Sequence, residues 1–96
     1  QCEGAVIDGL STMLGLEITI EAGRVQQSNY DRYPILRQGM HLPKIESHFI
    51  QSAYPPTGIG EPSLPPVAPA ICNAIFAASG QRVRTLPLVK SGYTLA

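Results

Sequence analysis

The sequence predicts an α+β fold in which two apolar helices pack on a small mixed sheet. Three observations predict it. Apolar residues recur at helical spacing over residues 1–14, and an almost wholly apolar or small-residue run fills residues 67–79. Between and after these lie short stretches that read as strands, over 16–20, where β-branched residues alternate with others, and over 24–27, 44–52 and 82–88. Gly and Pro mark the joints between them. The order helix, hairpin, strand, helix, strand contains no internal repeat and suggests helices layered against a sheet.

The first helix is predicted by Val6, Ile7, Leu10, Met13 and Leu14, which share one face. Gly4, Ala5 and Gly9 are small enough to admit a close neighbour, and Gly15 is placed to end the helix in a left-handed conformation. Residues 16–20 then alternate as a strand with one buried face. Glu21, Ala22 and Gly23 make a turn, and residues 24–27 return as the second hairpin strand. Residues 28–43 are irregular and long for a compact domain. In that loop Tyr30, Tyr33 and Arg37 either line a pocket or anchor the loop to the core.

A third strand is expected over 44–52, with Ile45 and Phe49 on one face and His48 beside Glu46 on the other. Neither His48 nor His41 has companions at metal-ligand spacing. The helix over 67–79 is so apolar that it predicts burial in a larger body. Asn73 is its one strongly polar side chain and is expected to tether the adjacent loop, with Gly80 closing the helix. A short strand stopped by Pro87 and a tail over 89–96 complete the chain.

The composition narrows the function classes. Lys and Arg number 7, as do Asp and Glu, so the formal net charge is zero and nucleic acid is not an expected partner. Only 15% of the 96 residues are charged, against about a quarter in ordinary globular proteins. That predicts a surface covered by something else, and so a segment of a larger assembly. No run is long and apolar enough to span a bilayer, and no signal peptide is recognisable. The chain begins at Gln1 without an initiator Met, which predicts a processed or excised product. Cys2 and Cys72 are too few for a disulfide scaffold and read as inert thiols in apolar helices, with a bridge between them left open.

The candidate chemistry sits in Pro55-Pro56-Thr57-Gly58-Ile59-Gly60-Glu61-Pro62-Ser63-Leu64-Pro65-Pro66. The glycines allow a sharp turn and close backbone approach, and the prolines stiffen it. A stiff loop that aims one carboxylate suits a general base, which must be held within hydrogen-bond reach of its proton. The alternative is an exposed Pro-Gly turn whose Glu61 decorates a helix start.

Several spaced blocks resemble one family. They are Gln1-Cys2-Glu3-Gly4-Ala5-Val6-Ile7-Asp8-Gly9-Leu10, Asn29 to Arg37, Gly58-Ile59-Gly60-Glu61-Pro62, Pro66-Val67-Ala68-Pro69-Ala70 with Asn73-Ala74, and Gly80-Gln81-Arg82-Val83-Arg84-Thr85-Leu86-Pro87. Together they resemble the C-terminal end of the molybdopterin-binding large subunit of the molybdenum hydroxylases, the xanthine dehydrogenase and aldehyde oxidase family. The similarity is strongest to the bacterial isoquinoline 1-oxidoreductase and aldehyde dehydrogenase branch. It implies that residues 1–88 are part of a molybdopterin-binding domain and that 89–96 are a C-terminal tail.

The resemblance implies that Glu61 is the general base at the molybdenum centre, that Gln1 hydrogen-bonds the cofactor, and that Gly60 lets the loop approach it. It implies a molybdenum–molybdopterin cofactor in its cytosine dinucleotide form, held by the pterin rather than by side chains of this chain. It further implies [2Fe–2S] clusters on an iron–sulfur small subunit, the remainder of the large subunit as a partner, a cytochrome c as one candidate electron acceptor, and a bacterial location, periplasmic or cytoplasmic, with the periplasm slightly favoured. The substrate class it implies is an aldehyde or an N-heteroaromatic. Cys2 and Ser63 depart from the aliphatic residue and the Gly common at those places in this branch. A non-catalytic module that docks on a larger partner is the competing reading.

Overall fold

The computed structural model describes residues 1–94. Helix α1 (Cys2–Gly15) and helix α2 (Val67–Ser79) pack against each other, and a 3-10 helix at Leu88–Ser91 packs on α1. A two-stranded antiparallel hairpin, β1 (Ile20–Glu21) and β2 (Arg24–Val25), pairs Ile20 with Val25 and Glu21 with Arg24. A second 3-10 helix covers Tyr30–Arg32. The longest dimension is 53 Å and the radius of gyration 15.9 Å. A compact chain of this length has a radius near ~13 Å, so much of this one is not folded back onto itself.

The core is small. Leu10, Met13, Val67 and Leu88 form its centre, flanked by half-buried Val6, Leu14, Leu36, Ile71, Ile75, Val83 and Tyr93. Gly9 makes the helix contact possible. A Cβ there would lie 3.0 Å from the Leu64 carbonyl oxygen and 3.0 Å from Val67 Cβ and Cγ2. α2 begins directly after Pro65 and Pro66, and Pro69 is harmless in its first turn because that amide has no helical partner. It ends at Gly80 with φ 71°, whose amide donates to the Phe76 carbonyl at 2.8 Å.

Several local expectations fail for physical reasons. Gly15 is the last residue of α1 and is not left-handed; the chain leaves the helix through extended Leu16, at φ −79° and ψ 127°. The hairpin is shorter than expected, and Ile18, Ile20 and Val25 are exposed, so its alternation has no buried face within this chain. Thr19 extends the pairing instead, through the Gln26 amide at 2.9 Å and the Gln27 side chain at 2.7 Å. Residues 44–52 and 82–88 form no strands among the described residues, because no neighbouring strand meets their backbone groups.

The stretch after α2 is held by side chains. Arg82 Nη1 donates to Asn73 Oδ1 at 2.9 Å, and its guanidinium stacks 3.6 Å from the centre of the Phe76 ring. Asn73 therefore tethers the following segment, as expected. In the 3-10 helix at Leu88–Ser91, Leu88 is buried with Leu10 and Met13 of α1, and Lys90 pairs with Glu17. The loop over 28–43 is anchored by Leu36, whose amide donates to the buried Ser11 hydroxyl at 3.0 Å. Most of α2 remains exposed, leaving apolar surface uncovered by this chain. No helix among the described residues is long and apolar enough to cross a membrane.

Candidate functional site

The N-terminal turn of α1 and the loop over 57–64 meet across one open cleft. Gln1, Gly4, Ala5 and Asp8 come from the helix, and Gly60, Glu61 and Leu64 from the loop; the cleft holds about 480 Å³. Helical geometry puts Gln1, Gly4, Ala5 and Asp8 on a single face, at spacings of three, four and seven. The loop reaches this face because its backbone is special. Gly58 has φ 147°, a conformation that a side chain rarely adopts. The Glu61 carbonyl then accepts from the Leu64 amide at 3.0 Å, and the Leu64 carbonyl from the Val67 amide at 3.2 Å. These two turns carry the chain from Glu61 directly into α2.

Gly60 passes directly beneath Gln1. A Cβ at Gly60 would sit 3.3 Å from Gln1 Oε1, tighter than an ordinary contact. One residue earlier, the Ile59 carbonyl lies 3.9 Å from Cys2 Sγ, so the loop follows the helix start over two consecutive residues. Glu61 is exposed, and its carboxylate has neither a hydrogen-bond nor an ion-pair partner among the described residues. On the other side of the loop, Thr57 to Pro62 frame a second cleft of about 360 Å³.

The structure thus brings together Gln1, Gly60 and Glu61, which lie up to 60 positions apart in the chain. It also brings in Asp8, a second carboxylate that the sequence reading did not single out. Its signal was there: Asp8 falls seven residues after Gln1, on the same helical face. The tyrosine loop splits. Tyr30 and Tyr33 line a separate cleft of about 370 Å³ with Ile18, Gln27, Ser28 and Asn29, whereas Arg37 does not reach it. Asn29 Oδ1 accepts from the Tyr30 amide at 2.9 Å and starts the short helix there. No cluster of three or more His, Cys, Asp or Glu able to hold a metal occurs among the described residues. Cys2 and Cys72 are both free and half-buried, so no bridge joins them.

The cleft has features suited to a bound polar group. Gly4 and Gly60 contribute no side chain to its lining, and the Gln1 carboxamide lies close to Gly60. The amides of Cys2, Glu3 and Gly4 precede the first intrahelical bond of α1, which runs from Ala5 to the Gln1 carbonyl at 3.0 Å. They are donors without helical partners at the start of α1.

Comparison with known proteins gives this arrangement a context. No family model matches the chain, and no solved structure matches it. Curated proteins do. The beta subunit of isoquinoline 1-oxidoreductase from Brevundimonas diminuta is 35% identical over 88 residues, covering 92% of this chain and 11% of that protein. A membrane-bound aldehyde dehydrogenase from Gluconacetobacter polyoxogenes, whose name carries pyrroloquinoline quinone, is 40% identical over 88 residues, again 92% of this chain and 11% of the relative. A xanthine dehydrogenase molybdenum-binding subunit, named as putative, from Escherichia coli K12 is 38% identical over 95 residues, 92% of this chain and 12% of that protein. The chain therefore spans only about a ninth of the length of these relatives. Over nearly all of its own length, it is a homologue of one segment of the large subunits of the molybdenum hydroxylases.

Proposed function

We propose that this chain forms one wall of the active site of a molybdenum-dependent oxidoreductase that hydroxylates an aldehyde or an N-heteroaromatic carbon, with Glu61 as its general base. The observation that carries the reading is the convergence of Gln1, Gly60 and Glu61 on one cleft, in a chain whose relatives include a molybdenum-binding subunit. The cleft's lining supports a pterin-type cofactor there: Gly4 and Gly60 leave room for a planar group, and the Gln1 carboxamide offers it hydrogen bonds.

When bound, the cofactor supplies the two-electron oxidation. This chain's residues do the rest of the local work. Glu61 accepts a proton in the cleft, and its freedom from partners leaves the carboxylate available for that task. Gln1 orients the cofactor edge by hydrogen bonding, and Gly60 keeps the space beneath that carboxamide clear. The turns through Leu64 fix where Glu61 emerges relative to α2.

The reading extends to the rest of the assembly. The cofactor is the cytosine dinucleotide form; the partners are the remainder of the large subunit and an iron–sulfur small subunit with [2Fe–2S] clusters; a cytochrome c takes the electrons; and the location is periplasmic. The supporting fact is the kinship with subunits of multi-subunit enzymes.

The test is metal analysis and turnover of the purified complex carrying Glu61→Gln. The expected result is retained molybdenum with turnover reduced ~10²–10⁴-fold on an aldehyde or a heteroaromatic such as isoquinoline. Wild-type turnover in that variant would refute the role of Glu61. Extractable pyrroloquinoline quinone without molybdenum would refute the cofactor. A complex with neither cofactor nor turnover would favour a docking module.

A further inference from the structure

The cleft at the start of α1 carries more negative charge than a general base requires. Asp8 and Glu61 both line it, and the other side chains there, those of Gln1, Ala5 and Leu64, are uncharged. The cleft on the far side of the loop adds no charged residue but Glu61 itself. None of the chain's seven Lys and Arg residues lines either cleft. Three of them are engaged elsewhere: Lys44 with Glu46, Lys90 with Glu17, and Arg82 with Asn73 and Phe76. His41 and His48 line neither cleft.

Asp8 has no structural use within this chain. It is exposed and enters no hydrogen bond or ion pair among the described residues. It lies in the middle of α1 (Cys2–Gly15), beyond the first turn, where the helix dipole would stabilise a carboxylate. Its charge is therefore spent on whatever enters the cleft. A cleft lined by one sign of charge concentrates that field and lowers the local concentration of ions of the same sign.

We propose that Asp8 is a specificity-determining residue, whose charge disfavours anionic substrates and leaves the cleft to neutral ones. This rests on reading the cleft as the place of turnover. The effect acts through space and needs no contact between Asp8 and the substrate. Unit charges roughly 8–10 Å apart in a partly wet site alter a binding constant ~5–30-fold. A cleft of about 480 Å³ keeps a bound aromatic ring within that range of its walls. Glu61 stays in place when Asp8 is changed, so the base is not what varies.

The test uses the purified complex, unaltered or carrying Asp8→Asn or Asp8→Glu, with two probe pairs that differ by one negative charge. Pyridine-3-carboxamide and pyridine-3-carboxylate are measured by equilibrium dialysis without an electron acceptor. Benzaldehyde and 4-carboxybenzaldehyde are measured by kcat/KM. The expected result at ~0.01 M salt is that Asp8→Asn raises the preference ratio, anionic over neutral, by ~5–30-fold, while Asp8→Glu keeps the wild-type ratio. At ~1 M salt, where the screening length falls to ~3 Å, wild type and Asp8→Asn should give the same ratio. A rise of less than ~5-fold at low salt would overturn the proposal, because a purely structural role moves both members of a pair together. So would a rise that persists at high salt, or a wild-type complex that neither binds the carboxamide nor oxidises benzaldehyde. Molybdenum content separates this proposal from the proposed function. Charge selection in dialysis by a metal-free complex would sink that function and leave Asp8 its role, and a molybdenum complex that needs Glu61 but shows no effect of Asp8 would do the reverse.

Discussion

Replacing Gly9 with Ala tests the helix contact on which the cleft depends. The new methyl would lie 3.0 Å from the Leu64 carbonyl oxygen and from two carbons of Val67. None of these is the free end of a flexible chain, so the backbones must separate by several tenths of an ångström. Overpacking of this kind costs ~1–3 kcal/mol. Ala gains ~1 kcal/mol over Gly in a helix interior, which offsets part of that. The net expectation is destabilisation by about 1 kcal/mol. Gly4 is the internal control: it lies in the same helix, and a Cβ there meets nothing within 4 Å. Gly4→Ala should therefore stabilise by up to ~1 kcal/mol, leaving the two variants about 2 kcal/mol apart. Urea titration of the purified protein, read from the midpoint at unchanged slope, measures the difference. If Gly9→Ala were as stable as Gly4→Ala, the close approach of α1 to Leu64 and Val67 would be wrong. Because Leu64 lines the cleft and its amide bonds the Glu61 carbonyl, Gly9→Ala should also lower turnover by displacing Leu64.

Three other substitutions probe separate elements. Ser11→Ala removes the acceptor for the Leu36 amide and should cost ~1–2 kcal/mol, with faster hydrogen exchange at Leu36; unchanged exchange there would show that the hydroxyl does not anchor the loop. Ala22 and Gly23 both have positive φ, 47° and 75°, as a tight hairpin turn requires; Ala22→Asn should raise the melting temperature, by an amount equivalent to a few tenths to ~1 kcal/mol. Leu88→Ala should destabilise by ~2–5 kcal/mol because Leu88 is buried in the core; an unchanged denaturation midpoint would refute that packing.

Both helices were legible because each is local. Leu10 and Met13 mark the inner face of α1 by spacing alone, and Pro66 and Gly80 bracket α2. The sharp turn in the Gly-Pro loop was legible for the same reason, since Gly58 has no Cβ to forbid the φ of 147° it adopts. The strands were not. Alternation over 44–52 states a preference for extended backbone, but a strand needs a second segment to receive its hydrogen bonds, and that is a non-local fact. The 82–88 stretch shows the same limit: Arg82 turns back to Asn73 and Phe76, and no edge meets the stretch.

By itself the sequence determined where the helices run and that one carboxylate, Glu61, is set among glycines and prolines. Only the tertiary structure decided that Gln1 and Gly60 touch, that Asp8 shares their cleft with Glu61, and that Leu88 closes the core. The physical reason is that backbone conformation is set by near neighbours along the chain, whereas a cleft is a meeting of residues some 60 positions apart, brought about here because Gly9 lets α1 settle against Leu64 and Val67.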